Sequence, residues 1–260
     1  MSSANASLEQ NIRSFYNDVN VAYSGEQVSD IWLNFVGKHF LEYLPLGSYI
    51  LDIGCGKGEL VRKLINKGYQ VTGLDISDGM LEFARKKIPN GRFMRDDILS
   101  LELPPTFNAV VASNNVFNHI LNLDDLTKAF QNIYSALLEN GWFVFDSTEG
   151  SRVLDGDSPI ENPLADGDFG EDYAWLERYT NNTPDGKSYQ YQRVTFQLLN
   201  GQWQRSESVC TIQGYSKAEV QFALEKAGFT KVTIYDLTKD KDFPTHFLED
   251  LRMAYVARKL

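Results

Sequence analysis

The densest chemistry lies in the stretch Leu51-Asp-Ile-Gly-Cys-Gly-Lys-Gly-Glu-Leu60. Glycines between a strand and a helix let a ligand approach the backbone closely, at the end of the sheet where open α/β folds bind ligands. Gly54, Gly56 and Gly58 read G-x-G-x-G, and Glu59 stands where a dinucleotide fingerprint has its third glycine. Pyrophosphate wants a bare helix N-terminus, and Asp52 and Glu59 oppose it. Asp75 follows about 20 residues on, the spacing of a carboxylate that holds ribose hydroxyls. The set suits a ribose and disfavours phosphate, as a cationic nucleoside would require. It discourages an NAD-dependent oxidoreductase.

The elements that must position these residues alternate strand and helix. Val28, Ile31, Trp32, Phe35 and Val36 recur at helical spacing towards Phe40 and Tyr43, and Pro45 stops the run. Strands are expected at Tyr49–Ile53, Val71–Asp75, Phe93–Met94, Ala109–Ala112 and Trp142–Phe145, with helices over Glu59–Lys67, Met80–Lys87 and Leu126–Leu137 between them. Such repeats imply a parallel sheet covered by helices on both faces. The pattern changes after Gly150. Asp155–Gly170 is rich in Asp, Gly and Pro and reads as loop, and Tyr173–Tyr215 reads as antiparallel strands with turns at Pro184-Asp-Gly186 and Asn200-Gly201. A capping box, Ser216-Lys-Ala-Glu219, then opens a helix that Gly228 closes, and strands follow near Lys231–Tyr235 and Met253–Ala257. The expected fold is α/β: a Rossmann-like, doubly wound, mostly parallel sheet with a reversed last strand pair and an inserted antiparallel segment. The expected organisation is a helical cap (1–45), a cofactor-binding core (46–149), an insertion over the acceptor pocket (150–215) and completion of the core (216–260).

Composition narrows the partners. With 25 Lys and Arg against 35 Asp and Glu, the net charge of −10 argues against nucleic acid, whose affinity comes from cations meeting phosphates. No apolar run is long enough to span a bilayer, and the first residues lack the basic and apolar regions of a secretory signal. Cys55 and Cys210 cannot build a disulfide framework, which fits a reducing cytosol. His39, His119 and His246 have no ligand-like spacing, so no metal is expected. A cytoplasmic protein acting on a small molecule is the expectation; oligomeric state is not legible.

The chain from Phe15 to Leu260 resembles class I S-adenosylmethionine-dependent methyltransferases, with the weakest match in the insertion. Leu51-Asp-Ile-Gly-Cys-Gly-Lys-Gly58 is similar to the family's first motif, and Gly73-Leu-Asp-Ile-Ser77 to its second. The resemblance implies that Asp52, Gly54, Cys55 and Gly56 lie around the methionine part of the cofactor, Asp75 on its ribose and Ile76 on its adenine. Asp97-Ile98 resembles the third motif, which reads the adenine edge, with neighbouring Asp96 one residue away from the same register. Ser113-Asn114 follows the fourth strand, where the family lines the methionine end; Met80 and the N-terminal Tyr23 complete the implied cofactor set.

The stretch Phe107-Asn-Ala-Val…Phe117-Asn-His-Ile120 resembles small-molecule N-methyltransferases, including those acting on amino sugars. The resemblance implies a catalytic pair, Tyr16 and His119, flanking an acceptor nitrogen. A protonated amine has no lone pair, and histidine titrates in the range needed to take its proton. His119 could instead cap the following helix or pack beside the sheet. Trp175, Arg178, Tyr189 and Tyr191 would roof the acceptor, or form the packing of their own sheet. The expected function is methyl transfer to a small molecule, nitrogen before oxygen. The alternatives are an RNA or protein methyltransferase and a non-catalytic module that binds the cofactor.

Overall fold

A computed structural model describes residues 26–149, 164–181, 187–239 and 251–260. Seven strands form one sheet: β1 (Tyr49–Ile53), β2 (Gln70–Asp75), β3 (Arg92–Arg95), β4 (Phe107–Ala112), β5 (Leu137–Glu149), β10 (Lys231–Asp236) and β11 (Leu251–Arg258). Their order is β10-β11-β5-β4-β1-β2-β3. The five strands from β5 to β3 pair in parallel, whereas β11 runs antiparallel to both β5 and β10. The second sheet holds β6 (Leu164–Phe169), β7 (Tyr173–Asn181), β8 (Ser188–Leu199) and β9 (Gln202–Gln213), antiparallel throughout.

Helices cover both faces of the larger sheet. On one side lie α1 (Glu26–His39), α2 (Glu59–Asn66) and α3 (Asp78–Lys87), whose Trp32, Phe35, Val61, Leu64 and Leu81 bury against Ile50, Val111 and Val144. On the other lie α4 (Leu123–Ala136) and α5 (Lys217–Ala227). Leu126, Ala129, Phe130 and Ile133 form the apolar stripe of α4 and meet Phe117, Phe143 and Phe145. Phe117 and Phe130 pack edge-on or tilted against each other and against Phe143 and Phe145, with centroids 5.1–5.7 Å apart, while Phe143 and Phe145 stack at 4.5 Å. The capping box of α5 forms as expected, and Gly228 closes the helix at φ +108°.

Three expectations need correction. The first helix stops at His39, and Leu41–Tyr43 continue only as a 3-10 turn. The fifth strand is longer than Trp142–Phe145, because the chain leaves α4 directly into β5 at Leu137. Leu137 pairs Phe107, but Trp142 pairs Ala109, so the extra residues of β5 form a bulge around Asn140 at φ +61°. The end of the expected loop, from Leu164 to Phe169, is an edge strand. Asp and Gly suit such a position, where charge blunts further pairing and only one neighbour is needed. The turn at Asn200-Gly201 is the two-residue hairpin expected, both residues at positive φ; Pro184-Asp-Gly186 lies outside the described residues.

Candidate functional site

The strand order reverses between β1 and its neighbours β2 and β4; Asp52 and the glycine loop, Asp75 and Ile76, and Ser113 and Asn114 lie at the carboxyl ends of these strands, and Asp97 and Ile98 follow β3. Gly54, Gly56 and Gly58 all have positive φ, at +67°, +51° and +80°. A β-carbon at Gly54 would sit 2.5 Å from Val116 Cγ2, so the loop after β4 presses directly on the glycine loop. Cys55 anchors the turn by donating its N–H to Leu74 O at 3.0 Å. Its thiol is pushed well up, by burial first and then by the carboxylates of Asp75 and Asp52. A neutral buried thiol is no nucleophile.

Asp75 closes β2 and binds the loop. Its Oδ2 accepts the Gly56 N–H at 2.8 Å and its Oδ1 the Ser77 N–H at 2.9 Å. Burial raises its pKa, and the backbone donors Ser77, Gly56 and Ile76 pull against that. A carboxylate offers about four acceptor directions, so these three donors leave about one for a further donor. Asp52, buried at the end of β1, is pushed well above the usual carboxylate range by desolvation and then by Asp75 and Glu59. Glu59 is also buried, but Lys87 pairs it at 3.0 Å. Burial lowers the pKa of Lys57, in the middle of the loop.

Ile76 and Ile98 are half-buried and Met80 is buried. Ser77 accepts the Met80 N–H at 3.1 Å, which caps α3 and fixes the turn after Asp75. Asp97 Oδ1 accepts the Leu99 N–H at 2.9 Å, and Asp96 Oδ1 accepts the Asp97 N–H at 2.8 Å. The acidic pair therefore shapes its own turn. Ser113 is half-buried, and Asn114 and Asn115 follow at φ +70° and +60°. His119 ends the 3-10 turn Val116–His119; burial lowers its pKa to about 4, so it is neutral at pH 7. Tyr16 and Tyr23 lie outside the described residues.

Several participants had no place in the sequence reading. Asn118 is fully buried; its Nδ2 donates to Thr148 O and Gln213 O at 3.1 and 2.6 Å, and its Oδ1 accepts the Thr148 N–H at 3.1 Å. Tyr215 donates to Ile120 O at 2.6 Å. These bonds bolt the His119 turn to β5 and to the exit of the second sheet. Asp146, buried in the carboxyl half of β5, pairs with Arg252 of β11 at 2.8 Å. A charge ending an apolar run, as in Phe143-Val-Phe-Asp146, is the signal that Asp52 and Asp75 also carry. Arg252 has no such signal.

On the second sheet, Trp175, Glu177, Tyr189 and Arg193 are buried on one face, with Tyr191 half-buried beside them. Glu177 pairs with Arg193 directly across β7 and β8 and accepts the Tyr191 hydroxyl. The Arg193 guanidinium lies 5.9 Å from the ring centroids of both Trp175 and Tyr191. Arg193 thus puts a charge on this buried face, which adds only a minor part to the lowering of the Lys57 pKa. Arg178 does not share it. Alternation along β7 puts it on the exposed face, bonded to Gln192.

Among the described residues no cluster of His, Cys, Asp and Glu could hold a metal, and no helix is long and apolar enough to cross a membrane.

The arrangement fits the cofactor that the motifs imply. Positive-φ glycines give backbone access, and the desolvated carboxylates Asp52 and Asp75 gain most from a ligand that brings cations and hydroxyls. A methyltransferase-domain family model matches residues 50–141. A protein of Geobacillus sp. (strain WCH70), named as a methyltransferase, is 28% identical over 240 residues, covering 88% of this chain and 92% of the relative. The match to two further relatives spans about half of their length. An S-adenosylmethionine-dependent methyltransferase from Clostridium acetobutylicum ATCC 824 superposes with TM-score 0.71 at 18% identity, over 96% of this chain and 98% of its own. A sugar N-methyltransferase from Streptoalloteichus sp. ATCC 53650 gives TM-score 0.70 at 18% identity, over 94% and 91%. The matched domain, the relative that aligns along nearly its whole length and the shared fold agree on a methyltransferase domain with the fold of the S-adenosylmethionine-dependent methyltransferases.

Proposed function

We propose that the protein methylates a small-molecule acceptor, nitrogen before oxygen, in a pocket between the glycine loop and the buried face of the second sheet. The observation that carries this reading is the attachment of that sheet to the His119 turn through Asn118, Gln213 and Thr148. In the cofactor half of the site, Asp75 holds the ribose. Asp52, Gly54, Cys55, Gly56, Ser113 and Asn114 surround the methionine part, and Ile76, Met80, Asp97 and Ile98 bound the adenine. When bound, S-adenosylmethionine supplies an electrophilic methyl group on a positive sulfur. The chain's own task is then to align the acceptor and keep water out, and alignment alone is worth ~7–11 kcal/mol of barrier.

His119 fits this task as a hydrogen-bond acceptor. With its pKa near 4 it stays neutral across the physiological range and presents a lone pair. The desolvation that disfavours its own charge also disfavours an ammonium in the same place, so an amine arrives with its lone pair free. The fold shared with a sugar N-methyltransferase supports nitrogen, and the charge of −10 supports a small molecule over RNA. Segment 150–215 would choose the acceptor, with Tyr16 beside it.

The test is incubation with methyl-labelled cofactor and a metabolite extract, followed by identification of the labelled products. Labelled small amines are expected. Label confined to RNA or protein, or to hydroxyl groups, would overturn the acceptor assignment. His119→Ala should then lower kcat with little effect on the affinity for S-adenosylhomocysteine.

A further inference from the structure

Two consecutive non-glycine residues at positive φ are unusual, because the β-carbon of an L-residue crowds the backbone there. Asn114 and Asn115 form such a pair directly after β4, and Val116 beside them presses on Gly54. The pair is tied down by groups far away in the chain. Arg252 Nη2 donates to Asn114 Oδ1 at 3.0 Å and its Nε to Asn115 Oδ1 at 3.2 Å, across 138 and 137 residues. Asp146 Oδ1 accepts the Asn115 N–H at 3.1 Å, while its Oδ2 pairs with Arg252 at 2.8 Å. Asp146 is fully buried and Arg252 is only 4% exposed, so neither charge can exchange its partner for water. The planar guanidinium holds several donors in fixed directions, which a lysine could not reproduce.

We infer that Arg252 and Asp146 are positioning residues for methyl transfer: together they hold the Asn114–Asn115 loop in its left-handed conformation, which sets the wall of the cofactor's methionine pocket against Gly54. The inference rests on reading Ser113 and Asn114 as that wall. Strained backbone persists only where its surroundings over-determine it, and here the surroundings are one buried ion pair joining β5 and β11 to the loop after β4. The last strand of the chain thereby reaches the reaction centre.

The test compares Asn115→Ala with Asn115→Gly. Both lose the amide, but only glycine adopts a φ of +60° without cost. With binding of S-adenosylhomocysteine read by calorimetry and folding by thermal melting, the alanine variant should bind about tenfold more weakly than wild type and the glycine variant within about threefold of it. Arg252→Met should also bind about tenfold more weakly, and adding Asn115→Gly should recover part of that loss. Equal binding by the alanine and glycine variants overturns the inference, as does an unchanged affinity in Arg252→Met. If Arg252→Met fails to fold, the Asn115 pair alone decides. Asp75→Asn separates this outcome from a failure of the underlying site: weak binding there with normal binding in the Asn115 and Arg252 variants refutes only the positioning role. Normal binding in Asp75→Asn refutes the cofactor site itself.

Discussion

Asp75→Asn is the sharpest single perturbation, because the change is nearly isosteric and both carboxylate oxygens are committed. In the wild type, Oδ2 takes the Gly56 N–H at 2.8 Å and Oδ1 the Ser77 N–H at 2.9 Å. An asparagine has one oxygen, so in either orientation one backbone N–H faces an amide N–H. Leaving a buried donor unsatisfied costs ~1–3 kcal/mol. The bond to a ribose hydroxyl also loses its charge assistance, falling from ~1.5–3 to ~0.5–1.5 kcal/mol. If the loop penalty falls on folding alone, affinity for S-adenosylhomocysteine drops about tenfold; if it falls wholly on binding, about a thousandfold. Calorimetric titration reads the affinity directly. Thermal melting reads the remainder, against which relief from burying a charge acts in the opposite sense. A dissociation constant within about twofold of wild type would refute the claim that Asp75 joins the glycine loop to the ligand.

Asp52→Asn should raise the melting temperature of the ligand-free protein while weakening cofactor binding, because burial and two neighbouring carboxylates disfavour its charge. The sign follows from linkage: the folded form holds the proton more tightly, so wild-type stability is lost as pH rises through the raised pKa, and the variant's melting curve should be flatter there. His119 acts in the opposite sense. Its folded pKa of about 4 lies below the ordinary 6.5, so the unfolded chain binds more protons between these values and about 2 kcal/mol of stability is lost between pH 7 and 5; a smaller acid-side loss is expected in His119→Gln, and an identical melting profile would disprove the neutral histidine. Lys259 donates to Tyr134 O at 3.0 Å and Leu137 O at 2.9 Å at the end of α4. Lys259→Met leaves these carbonyls without that donor and should cost ~1–3 kcal/mol, lowering the melting temperature by several degrees without altering cofactor affinity.

The sequence by itself determined the order of elements around the glycine loop, because each signal there is local. Positive φ demands glycine at 54, 56 and 58, an apolar run of four or five residues makes a buried strand, and Ser216 with Glu219 writes its own helix start. Asp52 and Asp75 were legible for the same reason, as charges ending buried strands at a known spacing. What escaped depends on contacts between distant parts of the chain. Strand β6 exists because β7 offers it a ladder, which its Asp- and Gly-rich composition does not announce. Arg178 reads as a roof residue until the pleat assigns it to the outer face. The buried pair of Asp146 and Arg252 joins residues from β5 and β11, and only the reversed pairing of those strands brings the arginine to the loop after β4. Local backbone preference and periodicity can be read along a chain. The partner of a buried charge cannot, because desolvation sets its cost and the tertiary fold alone decides which opposite charge arrives to offset it.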